Sequence, residues 1–331
     1  MRAFIPIILA CLLAATHISA QRITLEKAVK AQNSNAQTIF ASYWYSWGQN
    51  NPIYQFKNLR DVVSGVNQVF VAFGLERNDQ KAIQLQFDDE SGYRAFASDV
   101  REVKSKGVKV ILSSGGATAG YPWEATASDE DVANQYIDFV KKFDLDGIDF
   151  DIEAGVGARL PTITRLIRQR LPNTQLSITV PSTGNGGFTA DISNLGKKLA
   201  SQNTLDYVLL MNYDQYYVQP GCTYDNSNLE QNCYVDNLKA TINLMASWYG
   251  GDVNAAKRHL INGIMIGVAD DRKVISPELT HSLTAYLKNN NYGGVMTWAL
   301  NRDQPGTDLA RSTGTNNPPL AYTNTIISAL Q

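Results

Sequence analysis

The sequence predicts a single-domain α/β protein folded as a (β/α)8 TIM barrel. Short runs rich in β-branched and aromatic residues alternate with longer amphipathic stretches, and eight such units can be recognised. Two of the short runs, Gln68–Phe73 and Val108–Leu112, are almost continuously apolar, which is typical of parallel strands covered by helices. An open, doubly wound sheet is the competing fold, but it normally has fewer strands and its phosphate-binding glycine loop is missing. In a barrel, functional residues are expected at the carboxyl ends of the strands.

The eight predicted strands, in chain order, are Ile39–Tyr45, Gln68–Phe73, Lys109–Ser113, Gly147–Ile152, Gln175–Val180, Tyr207–Tyr213, Gly263–Val268 and Gly294–Trp298. The predicted helices are Tyr93–Lys106, Asp129–Phe143, Leu160–Leu171, Asp191–Ser201, Tyr234–Trp248, Pro277–Asn289 and Pro319–Leu330. Two helix starts carry clear signals. Ser128 stands three residues before Asp131 in a capping pattern, and Pro277 follows Ser276 at the first helical turn.

The first twenty residues have the pattern of a signal peptide. Arg2 precedes the apolar run Phe4–Ala15, which is too short to span a bilayer, and Ala20 is a small residue suited to cleavage. No later apolar run reaches the length of a membrane helix, and the C-terminal residues 325–331 are too short and mixed for a lipid-anchor signal. We therefore expect residues 1–20 to be removed and residues 21–331 to be a secreted, monomeric catalytic domain without a membrane partner.

Charge and composition disfavour several classes of function. A formal net charge of -2 argues against nucleic acid as a partner, since that requires a basic face. Only His259 and His281 lie beyond the predicted signal peptide, so neither a His-rich zinc site nor a Ser-His-Asp triad is expected. We predict no metal and no cofactor. No low-complexity linker is present, so an appended binding module is not expected either.

Cys222 and Cys233 are the two cysteines that follow the predicted signal peptide. They form an even pair in a chain expected to be exported, and they close a short polar loop. A disulfide is therefore predicted. Two buried free thiols are the alternative, which the loop-like residues Pro220, Gly221 and Asp225 disfavour.

One predicted strand breaks the apolar pattern. Because side chains alternate along a strand, Asp149, Asp151 and Glu153 share one face, and the apolar residues between them face the outer helices. Asp146 is three residues before Asp149, so its side chain falls on the opposite face of the strand. Carboxylates spaced about 7 Å apart inside a barrel cannot all be ionised, so at least one pKa must be raised. Such a row favours function over packing, and Glu153, nearest the open mouth, could act as the general acid of glycoside cleavage.

The row Asp146-x-x-Asp149-x-Asp151-x-Glu153 resembles the signature of the family 18 glycoside hydrolases, which include chitinases. Other segments resemble the family in the same order along nearly the whole mature chain. They are Ser42–Trp47 (aromatic first strand), Ser113–Gly116 (Ser-x-Gly-Gly), Met211–Asp214 (Met-x-Tyr-Asp) and Gly294–Trp298 (Gly-Val-Met-x-Trp).

The resemblance implies a retaining, substrate-assisted mechanism. Glu153 would protonate the scissile oxygen and later act as base, while the sugar's own 2-acetamido carbonyl attacks the anomeric carbon. Asp151 would orient the acetamido N–H and stabilise the oxazolinium-like intermediate, and Asp149 would hold Asp151. Tyr213 would hydrogen-bond the acetamido oxygen, and Asp214 would contact the sugar.

The resemblance also implies that Trp298 forms the apolar floor where the sugar ring distorts. Further substrate contacts are expected from residues at strand ends: Tyr43, Phe73, Gly116 and Met211. Ser113 and Asp146 are expected to be structural parts of the motifs. These assignments compete with ordinary packing, because inward apolar residues fill any barrel. Trp47 and Trp123, on expected mouth loops, are candidates for stacking on sugar rings.

Two departures from the family pattern bear on the substrate. Ala117 follows the Ser-x-Gly-Gly glycines, where many chitinases carry a Trp that Trp123 could partly replace. A single predicted helix separates the last two predicted strands, which leaves no room for the α+β insertion of some members. A shallow, open groove of the kind found in endo-acting enzymes is therefore expected.

The expected function is that of a secreted, endo-acting chitinase that hydrolyses β-1,4 linkages between N-acetylglucosamine units. An endo-β-N-acetylglucosaminidase acting on the chitobiose core of N-glycans is the alternative enzyme, because it uses the same acid and acetamido chemistry. A chitin-binding lectin on the same barrel is less favoured. Such lectins typically lose the terminal Glu or its neighbours, whereas Glu153, Asp151, Asp149 and Tyr213 are all present here.

Overall fold

Eight parallel strands close into a barrel in the computed structural model, which describes residues 37–52, 55–76, 83–117, 120–183, 187–214, 221–225 and 228–331. The strands, in chain order, are β1 (Ile39–Tyr45), β2 (Gln68–Glu76), β3 (Ile83–Gln84), β4 (Lys109–Gly115), β5 (Gly147–Asp151), β6 (Gln175–Pro181), β7 (Tyr207–Met211), β8 (Leu260–Met265), β9 (Gly267–Val268), β10 (Val274–Ile275) and β11 (Gly294–Trp298). The barrel order is β1-β11-β8-β7-β6-β5-β4-β2, and pairing of β1 with β2 closes it. The predicted (β/α)8 barrel is confirmed.

Helices surround the barrel: α1 (Glu90–Ser105), α2 (Asp129–Phe143), α3 (Leu160–Arg170), α4 (Ala190–Ser201), α5 (Cys233–Ala246), α6 (Val253–His259), α7 (Pro277–Asn289) and α8 (Ala321–Leu330). Both predicted helix starts are capped. The Ser128 hydroxyl accepts from the Asp131 amide at 3.1 Å, and the Ser276 hydroxyl accepts from the Leu279 amide at 3.2 Å. Each cap satisfies an amide that has no partner inside its own helix.

The strands bury apolar side chains on both faces. Those that point outward pack under the helices, as Phe150 does when it contacts Tyr136 at 5.3 Å between ring centroids. Those that point inward form a separate cluster in the barrel, which includes Phe70, Ile111 and Met296. Because strand residues alternate between these two layers, Asp149 and Asp151 are directed into the barrel.

The predicted bounds agree with the structure for β1, α2, α7 and β11. The predicted bounds of the seventh strand do not. Gly263–Val268 was expected, but the barrel strand is β8, and Gly267–Val268 belongs to a two-stranded hairpin with β10. The turn out of the barrel is made at Gly267, where φ is +78° and a Cβ would lie 2.1 Å from the Thr313 carbonyl oxygen. The run 260–269 is apolar almost throughout, so its pattern gives no sign of this boundary.

Helix α6 and strand β3 are further elements that the sequence pattern did not predict. Helix α6 spans only Val253–His259 and buries only Ala256, so its apolar periodicity is too weak to recognise. It is started by Asp252, whose carboxylate accepts from the amides of Asn254 and Ala255.

Cys222 and Cys233 form the predicted disulfide. Both residues are buried, and Cys233 is the first residue of α5. The bond therefore ties the loop that follows β7 to the start of that helix.

The predicted signal peptide, residues 1–20, lies outside the described residues. Within the described part of the chain, none of the helices combines the length and apolar character needed to cross a membrane.

Candidate active site

Asp149 lies at the centre of a cage of hydroxyl groups inside the barrel. Its neighbours in the parallel register are Ser113 on β4 and Ser177 on β6. The Ser113 hydroxyl donates to Oδ2 at 2.8 Å, and the Ser177 hydroxyl donates to Oδ1 at 2.7 Å. The Tyr43 hydroxyl donates to Oδ2 at 2.9 Å, and Thr179 Oγ1 lies 3.0 Å from both oxygens.

Burial and the cage act on Asp149 in opposite directions. The residue is completely buried, and burial raises the pKa of its carboxyl above the ordinary value. The donated hydrogen bonds favour the ionised form and lower the pKa, but they only partly offset burial.

Asp151 is the next inward residue on β5 and has a different environment. It is 2 % exposed, and its Oδ1 has no hydrogen-bond partner among the described residues. Burial, followed by the charges of Glu153 and Asp149, raises the pKa of Asp151 well above the ordinary value. Burial and two acidic neighbours thus both favour the protonated form of this carboxyl.

Glu153 lies just beyond the end of β5, at the mouth of the barrel. The Ile152 amide still donates to the Thr179 carbonyl at 2.8 Å, and the chain then bends so that Glu153 is exposed. The Ala154 amide donates to the Tyr121 hydroxyl at 2.8 Å, which fixes the backbone immediately after Glu153. Partial burial of the carboxyl, followed by the charges of Asp214 and Asp270, raises the pKa of Glu153.

A cavity of about 350 Å³ opens above this row. Its lining residues come from the carboxyl ends of several strands and from the β9–β10 hairpin: Ala117, Asp151, Glu153, Pro181, Ser182, Met211, Tyr213, Asp214, Met265, Asp270 and Trp298. Six of them are site residues that the sequence predicted. The position agrees with the expectation that the chemistry of a barrel lies at this end of its strands.

Tyr213 and Asp214 follow the last residue of β7, Met211. Burial raises the pKa of Tyr213 well above the ordinary value, so its hydroxyl remains a hydrogen-bond donor. Asp214 has a left-handed backbone with φ of 54°, and its Oδ1 accepts from the amides of Asp270 at 2.8 Å and Asp271 at 3.3 Å. These contacts hold the β9–β10 hairpin against the site.

Aromatic rings form a continuous group beside the cavity. Trp298 stacks on Phe73 with ring centroids 5.8 Å apart, and Trp47 stacks on Tyr45 at 4.8 Å. Trp47 also lies 6.0 Å from Phe73. Gly116 is required here, because a Cβ at this residue would lie 2.6 Å from the Phe73 ring.

The structure corrects four of the predicted sugar contacts. Tyr43 is 1 % exposed and bonds to Asp149, so it supports the carboxylate row instead of contacting a ligand. Phe73 and Gly116 are also buried and do not line the cavity. Trp123 is completely buried, stacked on Tyr121 at 4.8 Å, so it cannot stack on a sugar or replace the Trp that is absent at Ala117.

Asp146 and Ser113 have structural contacts. Asp146 lies at the opposite end of β5, where its carboxylate accepts from the Val110 amide at 2.9 Å and pairs with Lys104 at 3.3 Å. The Ser113 hydroxyl donates its hydrogen bond to Asp149. Neither side chain lines the cavity.

Several residues at the site were missed: Pro181, Ser182, Met265 and Asp270, which line the cavity, and Tyr121. Asp270 lines the cavity, and its signal was the acidic pair Asp270-Asp271 shortly after a predicted strand end. Tyr121 contacts the backbone that carries Glu153, and no sequence pattern points to that contact. Among the described residues, no group of three or more His, Cys, Asp or Glu side chains could hold a metal ion.

Residues 39–270 match the family described as glycosyl hydrolases family 18. The acidic endochitinase SE2 of Beta vulgaris is 26% identical over 306 residues, which cover 83% of this chain and 94% of that protein. An acidic endochitinase of Phaseolus angularis is 28% identical over 217 residues, covering 61% of this chain and 64% of that protein. Active domain 2 of a chitinase from Pyrococcus furiosus, solved with chito-oligosaccharides, superposes with a TM-score of 0.75 at 22% identity, covering 89% and 95% of the two chains. The superposition shows that the two proteins share a fold.

Proposed function

The chain belongs to the glycosyl hydrolases of family 18, and from that premise we propose that it is a chitinase that cleaves β-1,4 linkages between N-acetylglucosamine units. The observation that carries this proposal is Asp151. It is buried, its Oδ1 has no partner among the described residues, and it lines the cavity. A buried carboxylate oxygen without a donor is costly, and a ligand N–H in the cavity would satisfy it.

Glu153 is the proposed general acid. Its raised pKa favours the protonated form of the carboxyl at the cavity mouth, and the proton would be given to the glycosidic oxygen. The Tyr121 contact at Ala154 limits the movement of the segment that carries it.

The proposed nucleophile is the 2-acetamido carbonyl of the substrate itself. As its oxygen bonds to the anomeric carbon, positive charge develops on the acetamido group next to Asp151. Asp151 in its ionised form accepts the acetamido N–H, and its negative charge stabilises the positive charge of the intermediate. Tyr213 and Trp298 line the same cavity, where the Tyr213 hydroxyl would donate to the acetamido oxygen and Trp298 would provide an apolar surface for the ring.

Endo action and export are parts of the same proposal. The chain between β8 and β11 forms the short β9–β10 hairpin and a single helix, α7, so no inserted domain walls the cavity on that side. The leader-like residues 1–20 and the disulfide suit an exported protein.

The alternative, an endo-β-N-acetylglucosaminidase, shares the carboxylate row but acts on a glycan attached to protein. Trp298, which lines the cavity, and the partly exposed Trp47, which stacks on the same Phe73 ring, favour a repeating sugar chain, because an accessible ring offers a stacking surface. Incubation with a chitin tetramer and, separately, with a high-mannose glycoprotein tests the choice. We expect cleavage of the tetramer; release of glycan with the tetramer left intact would establish the alternative, and binding without cleavage would indicate a lectin.

Activity on soluble chitin oligomers is expected to persist at higher pH than an ordinary glutamate acid would allow. The acid must be protonated to act, and burial together with the charges of Asp214 and Asp270 raises the pKa of Glu153. The rate should therefore fall only as the pH rises through this raised value. The measurement is kcat/KM against pH, and a fall at the ordinary value of a glutamate carboxyl would contradict the assignment.

A further inference from the structure

The cavity contains more acid than the proposed reaction needs. Four of its lining residues are carboxylic acids, Asp151, Glu153, Asp214 and Asp270, and none of its described lining residues is basic. Asp151 and Glu153 have roles in cleavage. N-acetylglucosamine is neutral, so the charges of Asp214 and Asp270 have no counterpart on a fully acetylated chain.

The β9–β10 hairpin places Asp270 in the cavity by backbone contacts. Asp214 accepts from the amides of Asp270 and Asp271, so the turn is held against the end of β7. The nearby Lys273 pairs with Asp271, whose side chain is only 2 % exposed. The charge of Lys273 is therefore paired with Asp271, and neither Lys273 nor the exposed Arg272 of the same turn lines the cavity.

The environment of Asp151 also indicates that a ligand occupies this cavity. Asp151 is almost completely buried, its Oδ1 has no hydrogen-bond partner within the described part of the chain, and its side chain lines the same space as Asp214 and Asp270. The acidic groups around it repel one another: burial and then the charge of Asp270 raise the pKa of Asp214. A cation in the cavity would relieve that repulsion.

We propose that Asp214 and Asp270 form a subsite for the ammonium group of a glucosamine unit, so that partially deacetylated chitin is a preferred substrate. The inference rests on the proposed function, because the reacting unit must keep its acetyl group to supply the nucleophile. The ammonium group must then belong to a neighbouring unit. We assign it to the unit that leaves, since Glu153 protonates the oxygen of that unit and lines the same cavity as Asp214 and Asp270.

The test is hydrolysis of partially deacetylated chitin, with proton NMR identification of the units at both new chain ends. At a pH where the amine is protonated, the wild type should give N-acetylglucosamine at the new reducing ends. Glucosamine should be enriched at the new non-reducing ends about threefold over its share of the polymer, the size expected for one partly exposed ion pair. The enrichment should disappear in Asp270→Asn and at a pH where the amine is neutral.

Glu102→Gln is the matched control, because it removes the same charge from an exposed position on α1. It should keep the enrichment; loss in both variants would show that overall charge, and not the subsite, attracts the polymer. If glucosamine were no more frequent at the new non-reducing ends given by the wild type than in the polymer, that result alone would overturn the inference. So would an Asp270→Asn protein whose enrichment equals that of the wild type. Failure to cleave a fully acetylated tetramer would instead refute the proposed function.

Discussion

Glu153→Gln is expected to fold and bind chitin oligomers while losing about 10²- to 10⁴-fold in kcat, the usual contribution of a positioned general acid. The amide cannot donate the proton that the leaving oxygen requires. Folding should be preserved because Glu153 lies in an exposed position beyond the end of β5, and the amide of Gln has the same size as the carboxyl that it replaces. Turnover of soluble oligomers and calorimetric binding to the same oligomers are the two measurements.

The exposed Glu102 of α1 provides the control for this substitution. Glu102→Gln removes an identical carboxylate away from the cavity and should keep wild-type turnover. If Glu153→Gln retained even a tenth of the wild-type rate, Glu153 would not be the acid. Loss of binding together with turnover would mean that the substitution had altered the cavity, which a thermal melt would reveal.

Asp151→Asn is expected to reduce kcat by about 10²- to 10³-fold, comparable with removal of one electrostatic stabiliser of a charged intermediate. An amide cannot become negative as positive charge develops on the acetamido group. The variant should remain folded, since Asp151 makes no contact through Oδ1 within the described structure that an amide would break. Rates on a fully acetylated tetramer provide the measurement.

Asp146→Asn, at the other end of the same strand, separates the chemical effect from a structural one. It weakens the contacts with Val110 and Lys104 and should lower the melting temperature. Its kcat should stay far closer to that of the wild type. Equal losses of kcat in the two variants would show that any charge removed from β5 has the same consequence.

The stereochemistry of the first product tests the same step. Attack by the acetamido group and then by water inverts the anomeric carbon twice, so the first product should be the β anomer. Proton NMR at early times distinguishes the anomers. An initial α anomer would exclude the acetamido group as the nucleophile, even if chitin were the substrate.

Residue spacing was sufficient to predict the barrel and the orientation of its carboxylate row. The alternation of apolar and acidic residues in β5 directs Asp149 and Asp151 inward, because the apolar set has to pack under the helices. The strand–helix alternation likewise predicted all eight barrel strands, although not every boundary.

Depth and register could not be predicted from spacing. Tyr43 has the inward parity that was expected, but only the pairing of neighbouring strands shows that it reaches Asp149 and not the cavity. The same pairing brings Ser177 and Thr179 to Asp149 from β6. Trp123 stands in a loop, where its position alone did not decide between solvent and core; the structure places it in the core.

The hydroxyl cage also determines how Asp149 can exchange a proton with water. Asp149 has no exposed surface, and hydroxyl groups surround both of its oxygens. Within the described part of the chain, the carboxylate row is exposed only at its Glu153 end, so a proton exchanged between Asp149 and solvent has to pass Asp151 or a caging hydroxyl first. A sugar seated over Asp151 covers that route. In the proposed complex, Asp149 and Asp151 would therefore exchange protons with bulk water only after the sugar leaves.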